Sequence, residues 1–143
     1  MRSVLLMAAL LAAAPALALT GVVTHVSDGD TVWVKPDDAP KRKPVKLRLV
    51  GIDAPERCQA WGSESTEALK AQVLNRHVEV PTRGVDAHGR LLGGLKLDDG
   101  RDVAAWMVEQ GHAWSPRFKR HRAPYAQQQV EAVLHPGGHD DVL

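Results

Sequence analysis

Leu47 to Glu56 reads LRLVGIDAPE and places one arginine, Arg48, and two carboxylates, Asp53 and Glu56, at the end of an apolar run. A second acidic motif, DGDT at Asp28 to Thr31, lies upstream, and a second arginine, Arg90, follows Gly89 in DAHGR. An arginine fork binds two phosphate oxygens and stays charged at any working pH. Asp30 and Asp53, one near the start of a strand and the other past the end of another, form a hard oxygen set suited to Ca²⁺ or Mg²⁺. A backbone carbonyl near Ala54 and several waters would complete it. Glu56, three residues after Asp53, is placed to orient or deprotonate a water attacking phosphorus. Each feature alone reads as a hairpin turn, a turn acid or a surface charge. Together they describe a site that handles a phosphodiester.

The elements that must position these groups follow from periodicity. Val45 to Ile52 alternates Val45, Leu47, Leu49 against Lys46, Arg48, Val50, a strand whose polar face carries Arg48. Pro55 turns the chain beside the acids. Gly21 to Val26 and Thr31 to Lys35 are strands joined across the Asp28-Gly29 turn, and residues 36–44, PDDAPKRKP, form a charged surface loop. Ser63 is expected to cap a helix running to about Arg76, with Glu64 and Glu67 in its first turn. His77 to Pro81 is a short strand, and Leu91 to Leu97 is another, broken by Gly93-Gly94. Asp102 caps a helix from Val103 to Gln110 that Gly111 ends, and Pro124 opens a third from Tyr125 to Leu134. The class is α+β: a small barrel of five strands with three helices.

Composition narrows the setting. Arg2, the Ala/Leu-rich run Val4 to Leu17 and Ala16-Leu17-Ala18 read as a cleaved export signal over residues 1–18. A mature domain over residues 19–135 and a polar tail over 136–143 are expected to follow. That leaves room for one core and too little for two, and no stable membrane association after cleavage. The formal charge of the chain is +1, so a globally basic nucleic-acid binder is excluded, and any such binding rests on local clusters such as Lys41-Arg42-Lys43. Cys58 is the only cysteine, which rules out an intramolecular disulfide. The seven histidines include no HExxH and have no cysteine pair, which argues against zinc. Trp33, Trp61 and Trp106 read as packing residues. Trp114 leads into the basic and aromatic stretch Arg117-Phe118 and is a candidate for base stacking.

The ordered set DGDT, LRLVGIDAPE, WGSE at Trp61, DAHGR and the helix end at Met107 to Gly111 resembles the thermonuclease (staphylococcal nuclease-like) family, from about Thr20 to Tyr125. The resemblance implies an OB-fold barrel with three helices and Ca²⁺-dependent cleavage of DNA and RNA at the P–O5′ bond, leaving 3′-phosphate ends. It implies Asp30, Asp53 and the Ala54 carbonyl as calcium ligands, Glu56 as general base, and Arg48 and Arg90 on the scissile phosphate. His88, Trp114, Arg117 and Phe118 become candidate substrate contacts. The chain departs from the family pattern at His88, where a tyrosine is common, and at Pro116, where an aromatic contact is common. The third helix also closes on His135-Pro136-Gly137-Gly138. The expected protein is a monomeric, exported enzyme, periplasmic or secreted. A binding module of the same fold that holds nucleic acid or protein without cutting is the competing reading. So is a scaffold in which Asp30 and Asp53 hold Ca²⁺ structurally.

Overall fold

The computed structural model describes residues 18–116 and 123–129. Its strands are β1 (Ala18–Asp28), β2 (Thr31–Pro36), β3 (Val45–Leu49), β4 (His77–Val85), β5 (Leu91–Gly93) and β6 (Lys96–Leu97). Helix α1 (Gly62–Val73) lies between β3 and β4, α2 (Val103–Glu109) follows β6, and residues 126–129 are helical. The sheet runs β1-β2-β3-β5-β4, and β1 pairs with β4 to close it. Only the β3–β5 pair is parallel, while β6 adds to β4 outside the closure. This is a closed, mixed five-stranded OB-type barrel carrying helices, the expected α+β class. Closure leaves the five barrel strands few exposed edges.

Alternation decides what fills the barrel. Val32 and Val34 of β2, Leu47 and Leu49 of β3, and Val78 and Val80 of β4 are all 0% exposed, and Leu69 and Val73 of α1 and Met107 of α2 cap them. The buried core is aliphatic throughout. Truncating one such leucine to alanine removes packing worth roughly 2–5 kcal/mol. The alternate residues of β3, Lys46 and Arg48, stay on the outer face, half-buried. Burial of the leucines thus fixes the arginine outside.

Several boundaries differ from the sequence expectation. The β3 strand ends at Leu49, not Ile52: Val50 N–H makes the last rung to Gly93 O at 3.0 Å, and Asp53 and Ala54 then turn to other partners, Asp53 N–H to Trp114 O and Ala54 N–H to the Asp30 carboxylate. Ser63 is not the cap of α1. Trp61 is the N-cap, in the left-handed region at φ 62°, with no side-chain cap bond. The helix stops at Val73, since Asn75 turns left-handed and its N–H goes to Val23 O at 2.8 Å. The anticipated Leu91–Leu97 strand is two, β5 and β6. At the break, Gly94 N–H donates to Pro81 O at 3.0 Å, and β4 itself continues past Pro81 to Val85. The cap of α2 is the expected one: Asp102 accepts from the Ala104 and Ala105 amides. Gly111 takes the positive φ, 74°, that ends it.

Ala18 opens β1 and pairs with Pro81. The rest of the expected export signal lies outside the described residues, as do the last residues of the expected third helix and the tail. No helix among the described residues is long and apolar enough to cross a membrane.

Candidate active site

The tight turn between β1 and β2 delivers Asp30 to the mouth of the barrel. Asp30 is 6% exposed, and two of its bonds tie the turn to the chain at and after the end of β3. Its Oδ1 accepts from the Thr31 hydroxyl at 2.9 Å, and its Oδ2 accepts from the Ala54 amide at 3.0 Å. Its carbonyl accepts from Leu49 N–H at 2.8 Å. Gly29 makes the approach possible, because a Cβ there would lie 1.9 Å from Ser65 Oγ and 2.8 Å from the Ala54 Cβ. The DGDT turn is therefore pressed against both α1 and the segment after β3.

Asp53 is positioned differently. Its backbone forms an isolated antiparallel bridge with Trp114, each N–H donating to the other's carbonyl at 2.9 Å. Ser115 Oγ donates to Gly51 O at 2.8 Å and accepts from Tyr125 N–H at 3.0 Å, so the chain after α2 buttresses the acid from behind. The Tyr125 hydroxyl donates to Asp102 Oδ2 at 3.0 Å. Burial, and then the Asp102 charge, raise its pKa and keep it neutral.

Arg48 joins the two acids. Its Nη2 lies 3.1 Å from Asp30 Oδ2 and 3.1 Å from Asp53 Oδ1, while Nη1 donates to the carbonyls of Leu49 and Ile52. One guanidinium thus sets both the side chains and the loop that carries them. Desolvation pushes the Asp30 pKa up to about 7 despite the opposing pull of Arg48, and the hydrogen bonding and charge of neighbouring Asp28 push the same way. A carboxylate held at such a cost to its charged form gains from a further positive charge.

Arg90 is held at the next strand. The register pairs Arg48 with Leu92, and residues two apart share a face, so Arg90 leaves the barrel on the Arg48 side. Asp86 fixes its direction: Arg90 Nε donates to Asp86 Oδ2 at 2.7 Å, and the amides of His88 and Arg90 donate to Oδ1 at 2.9 Å each. Partial burial works against ionisation of Asp86, but the Arg90 and His88 bonds outweigh it and hold its pKa below the ordinary range. With Nε engaged, no other bond to the guanidinium is present among the described residues, which leaves its terminal nitrogens available to a ligand.

Glu56 is exposed. Its amide donates to Gln59 Oε1 at 2.8 Å, its carbonyl accepts from Gln59 N–H at 2.8 Å, and its carboxylate has no partner among the described residues. Gly62 seats this turn on α1: a Cβ there would lie 1.8 Å from the Glu56 carbonyl oxygen. His88 is exposed at the Asp86–Arg90 turn, and Trp114 is 44% exposed beside Asp53. Arg117 and Phe118 lie outside the described residues. The structure therefore joins Arg48, Asp30 and Asp53 directly, sets Arg90 on the same face, and leaves the Glu56 carboxylate open. Sequence reading passed over Asp86 and Asp28. The D-x-x-G-R spacing was the signal for the first, and for the second the DGDT motif itself.

The donor set suits a hard cation. Ala54 meets Asp30 through its amide, and no group of three or more His, Cys, Asp or Glu side chains converges among the described residues. An ion would take the two carboxylates plus backbone oxygen and water, a pattern tolerated by Ca²⁺. Half-exposed Asp53 gives it an open approach.

The profile of the family described as staphylococcal nuclease homologue matches residues 46–134, which include Arg48, Asp53, Glu56 and Arg90. A protein of Escherichia coli named ParB is 41% identical over 127 residues, 82% of this chain and 70% of that protein. A micrococcal nuclease of Shigella flexneri is 34% identical over 127 residues, 82% of this chain and 71% of the relative. An Escherichia coli protein named as an uncharacterized endonuclease is 43% identical over 94 residues, 66% of this chain and 59% of its own length. Sequence, barrel topology and the arrangement around Arg48 agree: this chain belongs to the staphylococcal nuclease homologue family.

Proposed function

We propose that this protein is an exported nuclease, periplasmic or secreted, that hydrolyses phosphodiester bonds of DNA and RNA with Ca²⁺ as its cofactor. The observation that carries the reading is Arg48 Nη2 at 3.1 Å from both Asp30 and Asp53, with Arg90 held on the same face by Asp86. Asp30, Asp53 and the Ala54 carbonyl would hold the ion, and when bound it supplies positive charge against the phosphate. Arg48 and Arg90 take the non-bridging oxygens and stabilise the negative charge that grows on them as water attacks phosphorus. Glu56 accepts the proton of the attacking water. The P–O5′ bond breaks, the 5′ oxygen leaves with a proton from solvent, and the 3′ side keeps the phosphate. His88, Trp114, Arg117 and Phe118 are proposed substrate contacts. Of these, Trp114 offers an exposed indole beside Asp53 on which a base can stack. The protein acts as a monomer.

The test is cleavage of labelled single-stranded DNA and of RNA by the purified protein in Ca²⁺, then in EGTA, with Glu56→Gln alongside. Cutting that requires Ca²⁺ and is lost in the variant supports the reading. A folded, Ca²⁺-binding protein that cuts neither polymer overturns it in favour of a binding module.

A further inference from the structure

The outer face of the barrel does not end at Arg48. Along β3 the next residue on that face is Lys46, two positions and about 7 Å from Arg48 by strand geometry. Across the ladder Lys46 pairs with Trp33 of β2, and Trp33 pairs with His25 of β1. The Lys46 ammonium sits 5.6 Å from the centre of the indole ring. The indole is fixed at its edge by Nε1 donating to Ser27 Oγ at 3.0 Å. Lys35, exposed, follows two positions along β2 on the same face, and the strip runs on into the exposed Lys41-Arg42-Lys43 loop. Asp37, an acid of that loop, is turned away to His77, 2.6 Å from its Nε2.

A packing role alone explains a half-buried tryptophan. It does not explain why the strip beside it is cationic and continuous with the phosphate-binding arginine in a chain whose formal charge is only +1. We propose that the Trp33–Lys46 strip of β2 and β3 is an extended subsite for a single strand of nucleic acid flanking the bond to be cut. The inference rests on the nuclease reading for what occupies Arg48. Charge complementarity to a polyphosphate and continuity with the Arg48 site favour this occupant over a protein. Cationic strips interleaved with aromatic faces are how OB-type barrels hold single strands without reading sequence. A phosphate next along the strand draws the Lys46 ammonium off the indole, and the base takes the ring face it leaves. The subsite therefore favours long, unpaired strands over short fragments.

The test is the affinity of the full-length protein in EGTA, where the strand stays intact, for a labelled oligothymidylate and for a thymidine dinucleotide. Thermal unfolding is followed in parallel. The oligomer is expected to bind more tightly than the dinucleotide. Trp33→Leu should cut that length advantage about tenfold, and Trp33→Phe should keep most of it. Lys46→Ala should lower the slope of log affinity against log salt by about 0.7, and Lys46→Arg should restore it. A length advantage unchanged in both Trp33→Leu and Lys46→Ala overturns the subsite. So does a loss of equal size on the dinucleotide. Length-dependent binding that these variants weaken, in a protein that cuts nothing in Ca²⁺, would sink the nuclease reading and leave the subsite standing. Cutting with an unaltered length advantage would do the reverse.

Discussion

At Asp30 the proposed role as a cation ligand and the stability of the fold pull against each other. Its carboxyl sits in a site that raises its pKa from 3.8 to about 7. An acid whose folded pKa lies above its unfolded value binds its proton more tightly in the folded state. Stability is therefore highest at low pH, falls as pH rises past 3.8, and reaches its floor above about 7. A shift of this size corresponds to about 4–5 kcal/mol lost at pH 8, at roughly 1.4 kcal/mol per pKa unit. Asparagine is close to isosteric and keeps one oxygen for the Ala54 amide, while its nitrogen can donate to Thr31 Oγ. Asp30→Asn should therefore make the cation-free protein more stable by about 4 kcal/mol at pH 8, and by somewhat less than half that at pH 5. Urea unfolding in EGTA at the two pH values reads this directly. Saturating Ca²⁺ should then stabilise the wild type but not the variant, by about 2.7 kcal/mol at a hundredfold excess over Kd, and close most of the gap. A variant less stable than wild type at pH 8 in EGTA, or a difference that ignores pH, would refute the reasoning.

Other consequences follow from single contacts. Arg48→Lys, which keeps the charge but loses the fork, should lower the cleavage rate about 100- to 1000-fold with the fold intact by circular dichroism. Asp86→Asn frees the Arg90 guanidinium from its 2.7 Å bond; cleavage should fall, and extra phosphate mimic in the assay should inhibit the variant less than wild type. Gly62→Ala forces the Glu56 carbonyl to move, since the added carbon would lie 1.8 Å from it; activity should drop further than the unfolding midpoint explains. His77 is raised above its usual pKa by its bonds to Asp37 and Asp98. The stability it adds is fully present below its unfolded pKa of about 6.5 and is lost as pH rises through its folded pKa. His77→Gln should flatten that part of the unfolding profile, and an NMR titration of the ring should place the wild-type midpoint above 6.5.

The legible parts of this molecule are those governed by local rules. Alternation in β3 separates Leu47 and Leu49 from Arg48, Asp28-Gly29 marks the turn, and Asp102 and Gly111 bracket α2. What sequence reading missed is set by partners far along the chain. No pattern near Leu49 signals that β3 ends there; the cause is that Asp53 and Ala54 bond to Trp114 and Asp30, away from the β5 ladder. Trp61, not Ser63, starts α1 because the turn from Glu56 must fold back onto Gly62. The site divides the same way: its charged residues are visible as motifs, but the bond from Asp86 to Arg90 and the bridge from Asp53 to Trp114 appear only in three dimensions. Asp86 was passed over because it reads as an ordinary turn acid until Arg90 is seen on it.

The central claim is that a cation held by Asp30 and Asp53 drives phosphodiester cleavage at Arg48. Titrating Ca²⁺ into the protein at pH 8, with bound ion by calorimetry and cleavage of a single-stranded oligonucleotide recorded in the same solution, tests it most directly. The account predicts one ion per chain, a common midpoint for binding and cleavage, and loss of both in Asp30→Asn. Cleavage that proceeds before the ion binds, or Ca²⁺ binding that survives Asp30→Asn unchanged, would contradict it.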